Sequence, residues 1–208
     1  MTLVMLAFRA CKPVLAGAVA AAIVAVFLTG AAPGAQAAEA GAEAFVKRVS
    51  RQLIAIMQSS ASTEVKRKKF AAVFGANADV RSIGLFALGK FRKKLPASKQ
   101  GEYFSLMRRY ISNVFSTHMK DISGSKVEIT GSQNRGRKGT IVESKLYFPG
   151  KKPAPLTWRL SRRNGYKVFD VRIFSIWLGP EQRTVFTGII ASNGGDVNAL
   201  LKFLRNNK

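Results

Sequence analysis

Apolar residues in the first half of the chain recur at helical spacing. Between residues 45 and 58 they fall three or four positions apart, with Lys47, Arg48 and Arg51 on the intervening face, which predicts an amphipathic helix. The Ala/Gly-rich stretch 38–44 before it predicts a loose lead-in. The ordered part of the chain is therefore expected to open with a helix that has one apolar side.

Further helices are predicted before the middle of the chain. Ser62 can cap a helix over 63–74 that ends in a Gly-Ala-Asn stretch. Asp79 can cap a short helix over 80–88, which Gly89 ends. After a basic run, a long helix extends from 99 to about 119. These helices supply many large apolar side chains.

From residue 126 onward, apolar and polar residues alternate with a period of two, which is typical of strands with one buried face. The sequence predicts four antiparallel strands in a meander, at 126–130, 140–148, 156–160 and 166–173. Asn164-Gly165 joins the last two strands and is a strong hairpin signal, because both residues tolerate positive φ. Both faces of the fourth strand are apolar, so the pattern leaves its buried face open.

Two helices follow the strands. Pro180 lies in the first turn of one of them, and Asn193-Gly194-Gly195 ends it before Asp196 caps the last helix, over 197–204. Helices first and a meander later place the fold in the α+β class. We predict N-terminal helices, a four-stranded and strongly curved antiparallel sheet, and C-terminal helices. Such a sheet and its helices either close into a solid core or leave an apolar pocket between them.

The N-terminal leader, residues 1–37, has the three parts of a secretory signal peptide. Basic residues without an acid precede an apolar run at 14–28, and Ala35-Gln36-Ala37 fits a small-x-small cleavage site. The run is short for a membrane span, which needs about 20 residues, although an uncleaved anchor is the alternative. We therefore predict cleavage, export to the periplasm and a single mature domain over 38–208.

The formal net charge of the chain is +23. A field of this size usually indicates a nucleic-acid partner, but the export signal argues against one. The remaining partners are anionic lipid head groups, acidic membrane surfaces and acidic proteins. A solvated coat that keeps an apolar protein in solution is the alternative. Cys11 lies in the leader, so the mature domain has no disulfide.

The sequence gives little support to catalysis. His118 is the single histidine, and no Ser-His-acid spacing or metal-binding cluster is present. Asp170 is expected to pair with an arginine, such as Arg183, because a second catalytic carboxylate is missing. The stretch 193–196 is better explained as a helix end and cap than as a phosphate loop. We predict a protein that is not an enzyme and that holds no metal or cofactor.

Several segments stand together in an order and spacing typical of one family. They are Leu88-Gly89-Lys90-Phe91-Arg92 before Gln100-Gly101-Glu102-Tyr103-Phe104, Trp158-Arg159-Leu160, Gly165-Tyr166-Lys167-Val168-Phe169-Asp170-Val171, Arg183 with Phe186, and Asn193-Gly194-Gly195-Asp196 before a Leu-rich helix. With these segments the chain resembles the MlaC (toluene-tolerance) family of periplasmic phospholipid-binding proteins.

The resemblance implies a cystatin-like fold with an apolar pocket for acyl chains and a bound phospholipid. It also implies a soluble carrier, expected to be monomeric, between an outer-membrane lipoprotein complex and an inner-membrane ABC transporter complex. The chain departs from the family at Phe174-Ser175-Ile176-Trp177, where an acidic-Gly-Val/Ile-Ser pattern is usual. Bulky Phe174 and Trp177 could narrow the pocket. A hopanoid-associated paralogue shares the same pattern, so a hopanoid carrier is an alternative, and the cationic surface leaves an adaptor without a ligand as another.

A carrier must shield acyl chains from water, and burying each CH₂ contributes about 0.8 kcal/mol. Only a wide apolar lining can do this, and each lining candidate could equally be plain core. The candidates from helices and strands are Phe70, Val73, Phe74, Leu85, Phe86, Phe104, Met107, Ile111, Val142, Leu146, Trp158, Leu160, Val168, Val171 and Ile173. The candidates for head-group or partner contact are the cations of the basic run, Lys90, Arg92, Lys93 and Lys94.

Overall fold

The computed structural model describes residues 33–117, 126–162 and 165–207. Its helices are α1 (Pro33–Gln58), α2 (Thr63–Asn77), α3 (Val80–Leu88), α4 (Ala97–Thr117), α5 (Leu178–Ser192) and α6 (Val197–Asn206), with 3₁₀ turns at Gly89–Lys94 and Gly136–Lys138. Its strands are β1 (Lys126–Asn134), β2 (Thr140–Tyr147), β3 (Ala154–Ser161), β4 (Lys167–Ile173) and β5 (Ile176–Trp177). None of the helices in these ranges combines the length and the apolar character that a bilayer crossing requires.

Side-chain caps fix several helix starts where the sequence predicts them. The Ser62 hydroxyl accepts the Val65 N–H at 3.4 Å, and the Asp79 carboxylate accepts the Ser82 N–H at 3.1 Å. The predicted end of α2 is wrong, because the helix continues through its Gly-Ala-Asn stretch to Asn77. Asn77, the last residue of the helix, donates from its side-chain amide to the Val73 carbonyl at 2.8 Å.

The predicted lead-in at 38–44 is also wrong, because this stretch is part of α1. Ala42 is fully buried against the sheet. The Glu39 carboxylate accepts the Asn134 N–H at 3.2 Å, and the Glu43 carboxylate accepts the Ser132 hydroxyl at 2.8 Å. These contacts with β1 stabilise an alanine-rich segment that already favours helix.

Some predictions concern residues outside the described ranges. They are most of the signal peptide, His118, the end of the long helix beyond Thr117, and Asn164 of the predicted hairpin. The signal peptide and its cleavage therefore stay predictions. The strands on either side of the hairpin, β3 and β4, do pair antiparallel, and Gly165 has a φ of +88°.

The sheet is antiparallel, with strands in the order β1-β2-β3-β4-β5. The α+β class is confirmed, but the predicted number of strands is wrong, because the short β5 pairs with β4 through Ile173 and Ile176. The sequence pattern misses β5 because two residues are too few for an alternation to show. The strong curvature of the sheet stays a prediction.

Two clusters of apolar side chains form the core. The helical cluster joins α3, the first 3₁₀ turn, α4, α5 and α6, and its buried members are Ala87, Leu88, Phe91, Leu95, Tyr103, Leu106, Met107, Phe186, Ile190, Val197, Leu200, Leu201 and Leu204. The sheet cluster joins α1 to the strands, and its buried members are Ala42, Phe45, Val46, Val49, Val142, Leu146, Leu156, Trp158 and Leu160. The chain thus builds two cores, one almost wholly helical.

Candidate functional site

The inner face of the sheet, which α1 covers, carries the apolar positions of every long strand. Antiparallel pairing places Val142 beside Trp158 and Trp158 beside Val171 in one row across β2, β3 and β4. Side chains of directly paired residues share a face, so the row forms a continuous apolar band. The Ser144 hydroxyl lies on the same face and satisfies the polar group of the row, because it accepts the Trp158 indole N–H at 3.1 Å.

Partly exposed apolar side chains border the buried members of the sheet cluster. α1 packs on β1 and β2, and the partly exposed side chains come from α1, α2, β1, β4 and the residues next to β2 and β4. These partly exposed members are Leu53, Val73, Val127, Ile129, Phe148, Tyr166, Val168, Val171 and Ile173, which we call the open fringe. A contiguous and partly exposed apolar surface of this kind is typical of a site that binds a ligand or a partner.

The structure brings together the lining candidates that come from strands. With one helical partner they form part of the sheet cluster or its open fringe, namely Val73, Val142, Leu146, Trp158, Leu160, Val168, Val171 and Ile173. The register also settles the buried face of β4. Val168, Val171 and Ile173 face inward, whereas Asp170 and Arg172 face outward.

The candidates from the other helices lie elsewhere. Phe104, Met107 and Ile111 belong to the helical cluster. The rings of Phe70 and Phe115 stack at 3.7 Å between α2 and α4, and Phe74 lies next to Phe70 with its ring at 5.9 Å. These residues form a separate aromatic stack at the α2–α4 contact.

Two more candidates, Leu85 and Phe86, are half-buried on α3 and belong to neither cluster. The Phe86 ring meets the edge of Phe169 at 5.8 Å and lies under the Arg183 guanidinium at 5.3 Å. Phe169 lies where the β3–β4 register shifts, which explains why both faces of β4 are apolar. The sequence-based list therefore joins residues from different regions, because helical spacing alone does not say which neighbour a helix packs against.

The basic residues Lys90, Arg92, Lys93 and Lys94 are exposed on the first 3₁₀ turn. The ammonium groups of Lys90 and Lys94 lie 5.2 Å and 5.6 Å from the Phe91 ring, which is buried in the helical cluster. Lys94 also donates to the Gly195 carbonyl at 3.4 Å. This segment therefore borders the helical cluster, and its contact with a head group stays a prediction.

A cationic groove of about 850 Å³ lies between α1, the end of α2 and the start of β4. Its lining residues are Gly41, Ala44, Phe45, Arg48, Arg51, Gln52, Ala76, Asn77, Gly165, Tyr166 and Lys167. Sequence reasoning missed this groove. Arg48 and Arg51 share a helix face in the sequence, but Lys167 joins them only through the tertiary fold.

A second groove of about 510 Å³ lies on the outer face of the sheet. Its lining is mixed, with Glu143, Lys145 and Arg172 among its charged side chains. None of the predicted lining candidates borders either groove.

The comparisons with known proteins agree with the sequence resemblance. The family model described as MlaC protein matches residues 47–206, which is most of the chain. This chain belongs to the MlaC family. No match was found among the curated proteins.

A solved structure shares the fold of this MlaC-family chain. It is the phospholipid-binding protein from Ralstonia solanacearum, determined in complex with a phospholipid. The TM-score is 0.69 at 20% sequence identity, and the match covers 80% of this chain and 96% of that one. At this identity the likeness shows a common fold.

The chain departs from the usual MlaC pattern at residues 174–177, but the Trp177 side chain does not occupy space on the inner face of the sheet. Trp177 pairs with Arg172 in the β4–β5 register, so its side chain lies on the outer face. There the guanidinium groups of Arg159 and Arg172 lie 4.2 Å and 5.3 Å from its ring. Phe174 forms the turn before it with a φ of +54°, and its N–H donates to the Pro155 carbonyl at 3.0 Å.

Asp170 of the MlaC-type strand joins the sheet to the helices. One carboxylate oxygen accepts the N–H groups of Val171 and Gly179, both at 2.8 Å, and so fixes the start of α5 against β4. Burial raises the pKa of Asp170, while these two N–H groups and the charge of Arg159 act in the opposite direction. The arginine that faces Asp170 is thus Arg159, and the suggested pairing with Arg183 is wrong.

The described residues give Asp170 a structural role. They contain no group of His, Cys, Asp and Glu side chains able to hold a metal ion. The hydrogen bonds of Asp170 are with two backbone N–H groups through its Oδ1 atom, an arrangement that fixes a turn, while the buried Oδ2 atom has no hydrogen-bond partner within the described ranges.

Proposed function

We propose that this protein is a periplasmic carrier that holds the acyl chains of a phospholipid between its sheet and its helices. The observation that carries the proposal is the open fringe of the sheet cluster, an apolar surface that the fold leaves half-buried. Membership of the MlaC family supports it. Further support comes from the phospholipid-binding protein that shares the fold and was determined with a phospholipid.

The energetics of acyl chains require such a surface. At about 0.8 kcal/mol per CH₂, two chains of ordinary length represent roughly 20 kcal/mol or more of apolar transfer free energy. No small set of hydrogen bonds could balance that amount. A carrier therefore has to exchange one apolar environment for another. The inner-face band and its fringe supply side chains of the right kind, with the polar N–H of Trp158 already satisfied.

We further propose that the carrier moves lipid between an outer-membrane lipoprotein complex and an inner-membrane ABC transporter complex. The signal-like pattern of residues 1–37 supports a periplasmic location. The family membership supports the shuttle. Catalysis is not part of the proposed function.

The test is to express the full chain, recover it from the periplasm and extract it with organic solvent. Mass spectrometry should find a stoichiometric phospholipid, and the intact mass should correspond to a chain that begins at Ala38. The purified protein should also move fluorescent phospholipid between two vesicle populations. Folded preparations that repeatedly lack lipid, with salt-dependent binding of acidic proteins instead, would contradict the carrier and favour the cationic adaptor. Recovery of a hopanoid would keep the carrier and change its ligand.

A further inference from the structure

The cationic groove offers positive charge without a counter-ion from the protein. Its charged lining residues are Arg48, Arg51 and Lys167, and no Asp or Glu lines it. Within the described part of the chain these cations donate only to neutral oxygens. Arg48 donates to the Asn77 amide oxygen at 3.3 Å, and the other two donate to backbone carbonyls. A concave surface with several unneutralised cations is complementary to an anion.

Part of the charge in the groove is held in place. The Arg48 guanidinium lies 5.2 Å from the centre of the Phe45 ring while it donates to Asn77. The Lys167 ammonium is held by the Ala76 carbonyl at the end of α2. A guanidinium fixed in this way loses less freedom when it forms the paired hydrogen bonds that phosphate favours.

The floor of the groove is the outer layer of the sheet cluster. The rings of Phe45 and Tyr166 lie 6.1 Å apart, and both line the groove. Phe45 is also a buried member of the sheet cluster, and Tyr166 belongs to its open fringe. A molecule with an anionic end in the groove and an apolar end against the fringe would find the two surfaces adjoining. This adjacency favours an amphipathic anion over free phosphate.

We propose that the cationic groove binds the phosphate of a phospholipid whose acyl chains contact the open fringe. This inference rests on the proposed function and assigns the head-group contact to Arg48, Arg51 and Lys167. The alternative cations, on the 3₁₀ turn Gly89–Lys94, border the helical cluster instead. The two cationic surfaces therefore make opposite predictions for lipid binding.

The experiment compares two variants of the full chain that lose the same charge. The groove variant is Arg48→Gln/Arg51→Gln/Lys167→Gln, and the matched control is Lys90→Gln/Lys93→Gln/Lys94→Gln. After delipidation, native mass spectrometry and fluorescence titration measure the Kd for phosphatidylglycerol and for diacylglycerol with the same acyl chains. At about fivefold per cation, the groove variant should bind phosphatidylglycerol about a hundredfold more weakly. Its affinity for diacylglycerol and both affinities of the control should stay at wild-type values.

Other outcomes overturn the inference in distinguishable ways. Equal losses in the groove variant and the control would assign the effect to net charge. Equal wild-type affinities for the two lipids would leave the carrier intact and remove the phosphate contact. A groove variant that loses binding of inorganic phosphate but keeps phosphatidylglycerol would make the groove a site for free anions. Wild-type protein that binds neither lipid would overturn the proposed function as well.

A single substitution keeps the test available if the triple variant does not fold. Among the described residues, Arg51 donates only to the Lys47 carbonyl of its own helix, at 3.4 Å, so its loss removes no hydrogen bond to another element there. Arg51→Glu reverses one charge at the groove and should weaken phosphatidylglycerol binding by more than fivefold. Unchanged phosphatidylglycerol affinity in this variant would contradict the proposal.

Discussion

The two apolar clusters differ in the degree to which they are closed: among the described residues, seven partly buried apolar side chains border the thirteen buried members of the helical cluster, whereas nine border the nine buried members of the sheet cluster. In the helical cluster, Leu88, Tyr103, Met107 and Phe186 have no exposed surface. The Tyr103 hydroxyl is also satisfied, since it donates to the Gly84 carbonyl at 2.9 Å. The sheet cluster has comparable buried members but keeps an open fringe. The helical cluster is therefore the more completely closed of the two, and the sheet cluster keeps the larger share of partly exposed apolar side chains.

This difference separates stability from function in one small protein. Close-packed interiors transmit strain and tolerate little change of volume, so the entry of a ligand would cost much of the free energy of folding. In the proposed carrier, the more completely closed helical cluster stabilises the fold while the fringe adapts to acyl chains of different lengths. Several residues that carry the family resemblance, Leu88, Phe91, Tyr103 and Phe186, lie in the closed cluster. Others, such as Trp158, Leu160 and Val171, lie in the sheet cluster or its open fringe, so the segments that carry the resemblance contribute to both clusters.

The largest expected effect is the loss of a large side chain from the closed cluster. Phe186→Ala should lower the free energy of unfolding by about 3–5 kcal/mol, because it leaves a cavity in a fully buried site. Urea denaturation measures this change, and lipid bound per folded molecule should stay the same. Val185→Ala on the exposed side of the same helix is the control, expected within about 0.5 kcal/mol of wild type. A loss below about 1 kcal/mol in Phe186→Ala would show that the helical cluster is not closed.

The next effect comes from adding volume to the closed cluster. A Cβ at Gly84 would lie 2.8 Å from the Phe104 ring and 3.1 Å from the Met107 sulfur, so these side chains or the helices that carry them would have to shift. Gly84→Ala should therefore cost about 1–3 kcal/mol in thermal or urea unfolding. Gly188→Ala offers the matched control, since nothing lies within 4 Å of its Cβ position in α5. The control should be stabilised by roughly 0.5–1 kcal/mol, and equal behaviour of the two variants would contradict the tight contact.

A larger side chain in the open fringe should affect lipid binding more than it affects stability. Val171→Phe places a larger ring on the inner face beside Trp158, where the side chain is only half-buried. Stability should change by less than about 1.5 kcal/mol, whereas phospholipid recovered per protein should fall several-fold because the ring occupies space for acyl chains. Quantitative mass spectrometry of organic extracts checks this. Undiminished lipid content would place the acyl chains away from the fringe.

The sequence predicts the elements of the fold well because their signals are local. Ser62, Asp79 and Asp196 cap helices where their side chains predict. The period-two stretches become β1 to β4. The errors occur where tertiary contacts decide, as at α1, which extends over 38–44 because Ala42 and Glu43 contact the sheet.

The candidate site is harder to predict. Periodicity shows which face of a helix or strand is apolar, but it does not show which other element packs against that face. Met107 and Val171 are both apolar and both fit a pocket, yet they lie in different clusters. The cationic groove is harder still. Arg48 and Lys167 are distant in sequence, and only the meeting of α1 with β4 makes them neighbours. The basic run at 90–94 is conspicuous in the sequence, whereas the groove emerges only from the fold.

The smallest expected effect concerns the bond that joins the two regions, from Asp170 on β4 to the Gly179 N–H of α5. Burial raises the pKa of Asp170 above its ordinary value of 3.8, so the folded state binds more protons than the unfolded state in the window just above that value. The free energy of unfolding therefore falls as pH rises through this window, and the cost of the charge is fully present at neutral pH. Asp170→Asn removes the charge and keeps an oxygen that can accept both N–H groups.

Urea unfolding of the wild type and Asp170→Asn between about pH 7 and about pH 4 measures this cost. The advantage of the variant should be greatest at neutral pH and should shrink as the wild-type carboxyl becomes protonated. An advantage that grows on acidification would mean that Arg159 and the two N–H groups outweigh burial. The junction would then be an ion-stabilised one. If the advantage of the variant shrinks on acidification as expected, the charge of Asp170 lowers stability. The role of its carboxylate is then geometric, because its two N–H contacts hold α5 against β4, the strand that contributes to the fringe.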